Sequence, residues 1–172
     1  MLINNLKSFS GTSIIDSENK WSFEELNKQI ENYSTYINLK LEKGDVVVLN
    51  SDYNFFSISL FVALSNFPCI IVPIVGVSVE EIKKKHKVSK PNKEFKITDN
   101  GKLLINELSF LNKNLKSYKN ITSINDSGVV LFSSGTSGDP KLMVQNLSKI
   151  ISLLSKPKRQ RNLNFILFLL FD

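Results

Sequence analysis

The chain contains one cysteine and one histidine, and each scarcity removes a class of function. A lone thiol, Cys69, cannot close an internal disulfide, so a small disulfide-stapled secreted scaffold is excluded. Cys69 lies in an apolar run, where a thiol behaves as a small buried hydrophobe. A lone imidazole cannot build a histidine metal centre. His86 stands beside Lys83, Lys84, Lys85 and Lys87 and reads as a solvated surface residue, so no Ser-His-Asp arrangement can rest on it. Neither Gly-x-x-x-x-Gly-Lys-Ser/Thr nor Gly-x-Gly-x-x-Gly occurs, which excludes a Walker A loop and a dinucleotide fingerprint. Acidic residues are outnumbered, 16 against 22 basic, for a net charge of +6. That excess is spread over many lysines and suits a solvated surface. The basic cluster Lys156–Arg161 has no interleaved aromatics, so no nucleic-acid partner is expected.

A long unbroken apolar run is also missing. Phe55 to Val79 carries no charge, and about 20 apolar residues would span a bilayer. Asn66, Pro68 and Pro73 interrupt this stretch, however, and Ser57, Ser59 and Ser65 punctuate its first half. It divides into a helix (Phe55–Ser65), a turn at Asn66–Pro68 and a buried strand (Cys69–Val72), with no membrane span. At the N-terminus Lys7 follows Met1–Leu6 with no apolar stretch behind it, so no secretory signal and a cytoplasmic location are expected.

What is present is the alternation of an α/β protein. Phe23, Leu26, Ile30, Tyr33 and Ile37 recur at helical spacing within Trp21–Lys40, and Ser22 with Glu25 has the spacing of a capping box. Val46–Leu49 has no polar alternation, as expected of a strand buried on both faces. A helix is expected from Ser78 to about His86, with Glu80 and Glu81 in its first turn, followed by an exposed connection over Lys87–Lys93. Phe95–Thr98 and Leu103–Ile105 are short strand candidates. Val129–Phe132 and Phe165–Leu170 complete the buried strands, and Leu142–Val144 resumes strand character. Asn146 or Ser148 is placed to cap a helix through Ser155. The expected fold is a parallel β-sheet with crossover helices.

The segment Ser133–Lys141 carries the chemistry. Ser133, Ser134, Thr136 and Ser137 supply hydroxyls, Gly135 and Gly138 let the backbone approach a ligand, and Lys141 supplies a point charge. Successive backbone N–H groups in such a turn form a concavity for anions. The set suits a polyphosphate. As a bare Ser/Gly-rich loop it would bind nothing, and composition alone leaves that open.

The string FSSGTSGDPKLMV (Phe132–Val144) closely resembles the phosphate-binding signature of the AMP-forming ligase superfamily, in the manner of acyl-CoA synthetases. WSFEEL (Trp21–Leu26), LEKGDVVVLNS (Leu41–Ser51) and LSNFPCIIVPI (Leu64–Ile74) are similar, in the same order, to three earlier family segments. FLLFD (Phe168–Asp172) resembles the start of a substrate-side segment. Leu142 departs from the common glycine, and Gln145-Asn146 from a common Thr/Ser-His pair. The resemblance implies that residues 1–172 are part of an adenylation domain, its first subdomain. It implies ATP with Mg2+, a carboxylic acid substrate, and coenzyme A or pantetheine as the thiol acceptor. Ser133, Ser134, Gly135, Thr136, Ser137, Gly138 and Lys141 would hold the ATP phosphates, with Lys141 stabilising charge. The family's aromatic-Gly-x-Thr-Glu and Thr-Gly-Asp strings and its C-terminal lysine domain have no counterpart in the 172 residues. The chain by itself is therefore expected to be inactive and, with an apolar strand at its end, to self-associate. A truncated or accessory nucleotide-binding domain without ligase activity is the alternative.

Overall fold

The computed structural model describes residues 6, 9–16, 19–75, 78–98, 100–109, 116–133 and 140–154. A hairpin of β1 (Thr12–Asp16) and β2 (Asn19–Ser22) opens the described chain. Helix α1 (Phe23–Lys40) follows, starting at Phe23 because Trp21 belongs to β2. The expected capping box is formed: Ser22 Oγ accepts from the Glu25 N–H at 3.2 Å, and the Glu25 carboxylate accepts from the Ser22 N–H at 2.8 Å. Leu26, Ile30, Tyr33 and Ile37 make its buried stripe.

Six strands form the main sheet in the order β6-β5-β3-β4-β7-β8. They are β3 (Val46–Asn50), β4 (Ile70–Ile74), β5 (Lys93–Ile97), β6 (Leu103–Glu107), β7 (Gly128–Ser133) and β8 (Lys141–Asn146). The central four, β5-β3-β4-β7, run parallel as expected, while β6 and β8 close the two edges antiparallel. Pairing is uneven. β3 and β4 share register from Val46↔Ile70 to Asn50↔Ile74, whereas β7 meets β4 at Ile70↔Gly128 and Ile71↔Val129. The expected strand Phe165–Leu170 lies outside the described residues.

Side-chain alternation along the strands builds two cores, one on each face. Val47, Leu49, Ile71, Phe95 and Val129 point to the side covered by α1, α2 (Phe55–Ser65) and the first turn of α5 (Leu147–Leu154). Val46, Val48, Ile70, Val72, Ile74 and Val130 point to the side covered by α3 (Val79–Ser89) and α4 (Lys116–Thr122). Helix α2 is apolar nearly all round, as a helix packed between α1 and the sheet must be. Its buried Ser59 hydroxyl is satisfied by the Phe55 carbonyl at 2.7 Å. Cys69 is fully buried, and burial pushes its thiol well above the usual range, so it is inert packing as expected.

Two expectations for the middle of the chain need correction. Lys87–Lys93 is not an exposed connection: α3 continues to Ser89, Lys90 caps it in the left-handed region (φ 49°), and Pro91 is buried. His86 is not a fully solvated residue: it is partly buried, and burial holds its imidazole below the ordinary value, with nearby Glu94 opposing the shift.

Candidate functional site

Because β3, β4 and β7 are parallel, their C-terminal ends meet at one edge of the molecule. Asn50, Ile74 and Ser133 end these strands. Helices α2 and α3 begin at the same edge, each capped just beyond its strand. Asn54 Oδ1 accepts from the Ser57 N–H at 2.8 Å, and Ser78 Oγ accepts from the Glu81 N–H at 3.2 Å. Ligands of open α/β sheets bind beyond this edge, where helix N-termini turn their partial positive charge outward.

Of the predicted phosphate-site residues, the structure places the two that bracket the set. Ser133 is the last residue of β7 and Lys141 the first of β8, and they are direct register partners. Both are exposed. Ser134, Gly135, Thr136, Ser137 and Gly138 lie outside the described residues. The pairing of Ser133 with Lys141 brings a hydroxyl and an ammonium to one cross-strand position at the C-terminal edge of the parallel strands. One residue back on each strand, Phe132 and Leu142 are partners and turn to the opposite face. There they pack on the core that holds Val130 and Tyr118.

A further cation, not expected from the sequence, stands at this stem. Lys85 of α3 is only 3% exposed, and its Nζ lies 5.3 Å from the centroid of the Phe132 ring. The same ammonium pairs with Glu81 at 3.2 Å, one turn earlier in the helix. The helical stripe Ile82, Lys85, His86, Ser89 was the available signal, since its spacing puts Lys85 on the inward face.

Asn146, part of the departing Gln145-Asn146 pair, has a structural role at the opposite end of β8. Its Oδ1 accepts from the Lys149 N–H at 2.8 Å and caps α5, while its Nδ2 donates to Asp126 at 2.7 Å. Ser148, the other capping candidate, instead accepts from the Ser127 N–H at 2.9 Å. A polar cleft of about 360 Å3 beside Asn66, Asp126 and Ser148 lies at this far end. It is remote from Ser133 and Lys141. Among the described residues no group of three or more His, Cys, Asp or Glu is arranged to hold a metal ion, and no helix is long and apolar enough to cross a membrane.

No protein-family model and no curated protein sequence matches the chain. Solved structures do match in fold. The N-terminal subdomain of Klebsiella oxytoca NpsA, in complex with anthranilyl-AMSN, is similar with a TM-score of 0.64 and 18% identity, over 91% of this chain and 42% of that one. VinN in complex with L-aspartate is similar with a TM-score of 0.62 and 12% identity, over 90% of this chain and 49% of that one. IdnL1 gives a TM-score of 0.56 and 18% identity, over 84% and 31%. This chain therefore spans less than half the length of these structures, and at these identities the similarity is one of fold.

Proposed function

We propose that the chain is the phosphate-binding N-terminal part of an AMP-forming carboxylic acid ligase. The observation that carries this reading is the register pair of Ser133 and Lys141 at the C-terminal edge of the parallel strands. The fold shared with the NpsA subdomain, which was solved with anthranilyl-AMSN, supports it. The reaction would be attack of a substrate carboxylate on the α-phosphate of MgATP, giving an acyl-adenylate and pyrophosphate. The acyl group would then pass to the thiol of coenzyme A or of a carrier pantetheine, in the manner of acyl-CoA synthetases. The metal enters with the nucleotide, as part of the substrate. A cytoplasmic setting suits both ATP chemistry and a reduced Cys69.

In this scheme Ser133, Ser134, Thr136 and Ser137 donate hydroxyl hydrogen bonds to the β- and γ-phosphates. Gly135 and Gly138 let backbone N–H groups reach the same oxygens. Lys141 meets charge that grows as pyrophosphate leaves, so its contribution rises toward the transition state. None of these groups transfers a proton. They hold and stabilise the leaving group.

The test is calorimetric titration of the chain with MgATP and with pyrophosphate, comparing Lys141→Ala with the unchanged protein. Both ligands are expected to bind, and Lys141→Ala to weaken them by about tenfold, as loss of a charged hydrogen-bond donor does. The chain alone is expected to release no pyrophosphate from ATP and a carboxylate. In a polypeptide carrying the complete site, Lys141→Ala should slow single-turnover adenylate formation by about ten- to a thousand-fold. Thr136→Ala should act in the same direction more weakly, since a neutral donor bonds phosphate less strongly. Unchanged affinities in Lys141→Ala would remove the phosphate-binding reading.

A further inference from the structure

The register of β7 leaves its far half without backbone support from β4. Pairing with β4 involves Gly128 and Val129, whereas the positions beside the phosphate site are Phe132 and Ser133. What steadies that half is pairing with β8, itself an edge strand, and side-chain packing on the α3 face. Lys85 is part of that packing.

A lysine buried to 3% exposure loses most of its hydration, so its place needs a physical reason. Two partners supply it. Glu81, four residues back at 3.2 Å, offsets the charge, and the face of Phe132, at 5.3 Å, accepts the cation. Glu81 itself is half exposed, with a side-chain exposure of 49%, so the pair is buried on one side only. Side chains on a helix lean toward its N-terminus. The N-terminus of α3 lies at the edge where Ser133 and Lys141 stand, so Lys85 reaches along the sheet toward that edge. It meets the ring of the residue that immediately precedes Ser133.

We propose that Lys85 is a positioning residue for the phosphate site, resting on the reading of Ser133 and Lys141 given above. Its ammonium holds the Phe132 ring against the α3 face and so fixes the direction in which β7 delivers Ser133 opposite Lys141. Lys141 would touch phosphate directly; Lys85 acts through Phe132. Glu81 is half exposed and would stay hydrated without the lysine, so the fold alone does not demand a cation here. A methionine would fill the same volume at less desolvation cost, and the retained charge is what the proposal explains.

The experiment compares Lys85→Met, Lys85→Arg and the unchanged chain by calorimetric titration with MgATP and with pyrophosphate, alongside their melting temperatures. Lys85→Met keeps the stem and removes the charge. It is expected to weaken both ligands by about three- to thirty-fold, the range of a desolvated cation–ring contact. Lys85→Arg keeps the charge and the ring contact and is expected to restore affinity to within about twofold, a rescue that packing alone would not give. Phe132→Leu removes the ring and leaves the lysine, and is expected to weaken binding in the same direction. That variant carries the test if Lys85→Met does not fold. Wild-type affinity in Lys85→Met, or in Phe132→Leu when that variant stands in, overturns the proposal. A failure of Lys85→Arg to rescue also overturns it. If the unchanged chain binds neither ligand, the phosphate-binding reading itself falls and this inference falls with it.

Discussion

Gly101 and His86 show how single residues are held by their surroundings. Gly101 has φ +76°, and a Cβ placed on it would stand 2.3 Å from the ring of Phe56. Its carbonyl also accepts the buried Tyr33 hydroxyl at 2.7 Å, tying the β5–β6 turn to α1. Gly101→Ala is expected to destabilise the fold by about 2–4 kcal/mol, combining left-handed strain with overpacking. Urea unfolding should show a lower midpoint at unchanged slope. For His86 the folded value is depressed by burial. The stability it contributes is therefore present above the ordinary value of 6.5 and lost as pH falls through the lower folded one. His86→Gln is expected to flatten the decline in melting temperature between about pH 7 and pH 5, by a small amount because the ring is only partly buried. The expectation of a solvated His86 fails because Lys83–Lys87 is not one uniform surface cluster. Composition there is uniformly basic, but helical periodicity turns Lys83, Lys84 and Lys87 outward and Lys85 and His86 inward.

At the scale of elements, the parts written in local chemistry were legible. The capping box of α1, the turn at Asn66–Pro68 and the apolar strands β3 and β7 stand where pattern and spacing put them, while β4 starts one residue later than expected and runs on through Pro73 to Ile74. Ser22→Ala is expected to cost about 0.5–2 kcal/mol through loss of the first-turn acceptor. Thermal unfolding followed by far-ultraviolet circular dichroism checks it. The elements that escaped notice are those whose order comes from tertiary contact. Helix α4 spans Lys116–Thr122 and presents little apolar sequence. It is held by Tyr118, whose ring is buried in the second core and whose hydroxyl donates to the Ser89 carbonyl at 3.1 Å. The β1–β2 hairpin is likewise fixed from outside. Trp21 stacks on Phe55 at 4.1 Å, and the Asp16 carboxylate accepts from the Phe55 N–H at 3.0 Å.

For the molecule as a whole, the β7–β8 edge matters most. Leu131 and Met143 are cross-strand partners, 41% and 52% exposed, on the sheet face covered elsewhere by α1 and α2. Leu153 of α5 is also largely exposed, at 58%. Exposed apolar groups beside an edge strand favour association. The chain alone is expected to self-associate, with an apparent mass that rises with concentration in size-exclusion chromatography with light scattering. Replacing Leu131 with Glu and Met143 with Lys together should lower that mass, keeping a favourable cross-strand pair while removing apolar surface. A monodisperse monomer of the unchanged chain would contradict this. The parallel centre of the sheet was readable from apolar runs alone. Strand order and the antiparallel edges were not, because register and neighbour choice depend on residues far apart in sequence, such as Ile70 and Gly128.

That unequal register also sets an order of assembly. The ribosome delivers β3, β4 and β5 before any residue of β7, and β3 has partners on both sides without it. β7 must then close across the long separation from β4 and hold through two register positions, so it gains little per contact until β8 folds back on it. The hairpin that bears Ser133 and Lys141 is thus expected to dock late and to open early. Opening it would not unravel the four strands before it. A bound polyanion would therefore act as a latch on this hairpin, leaving the remainder of the fold indifferent to whether the ligand is there.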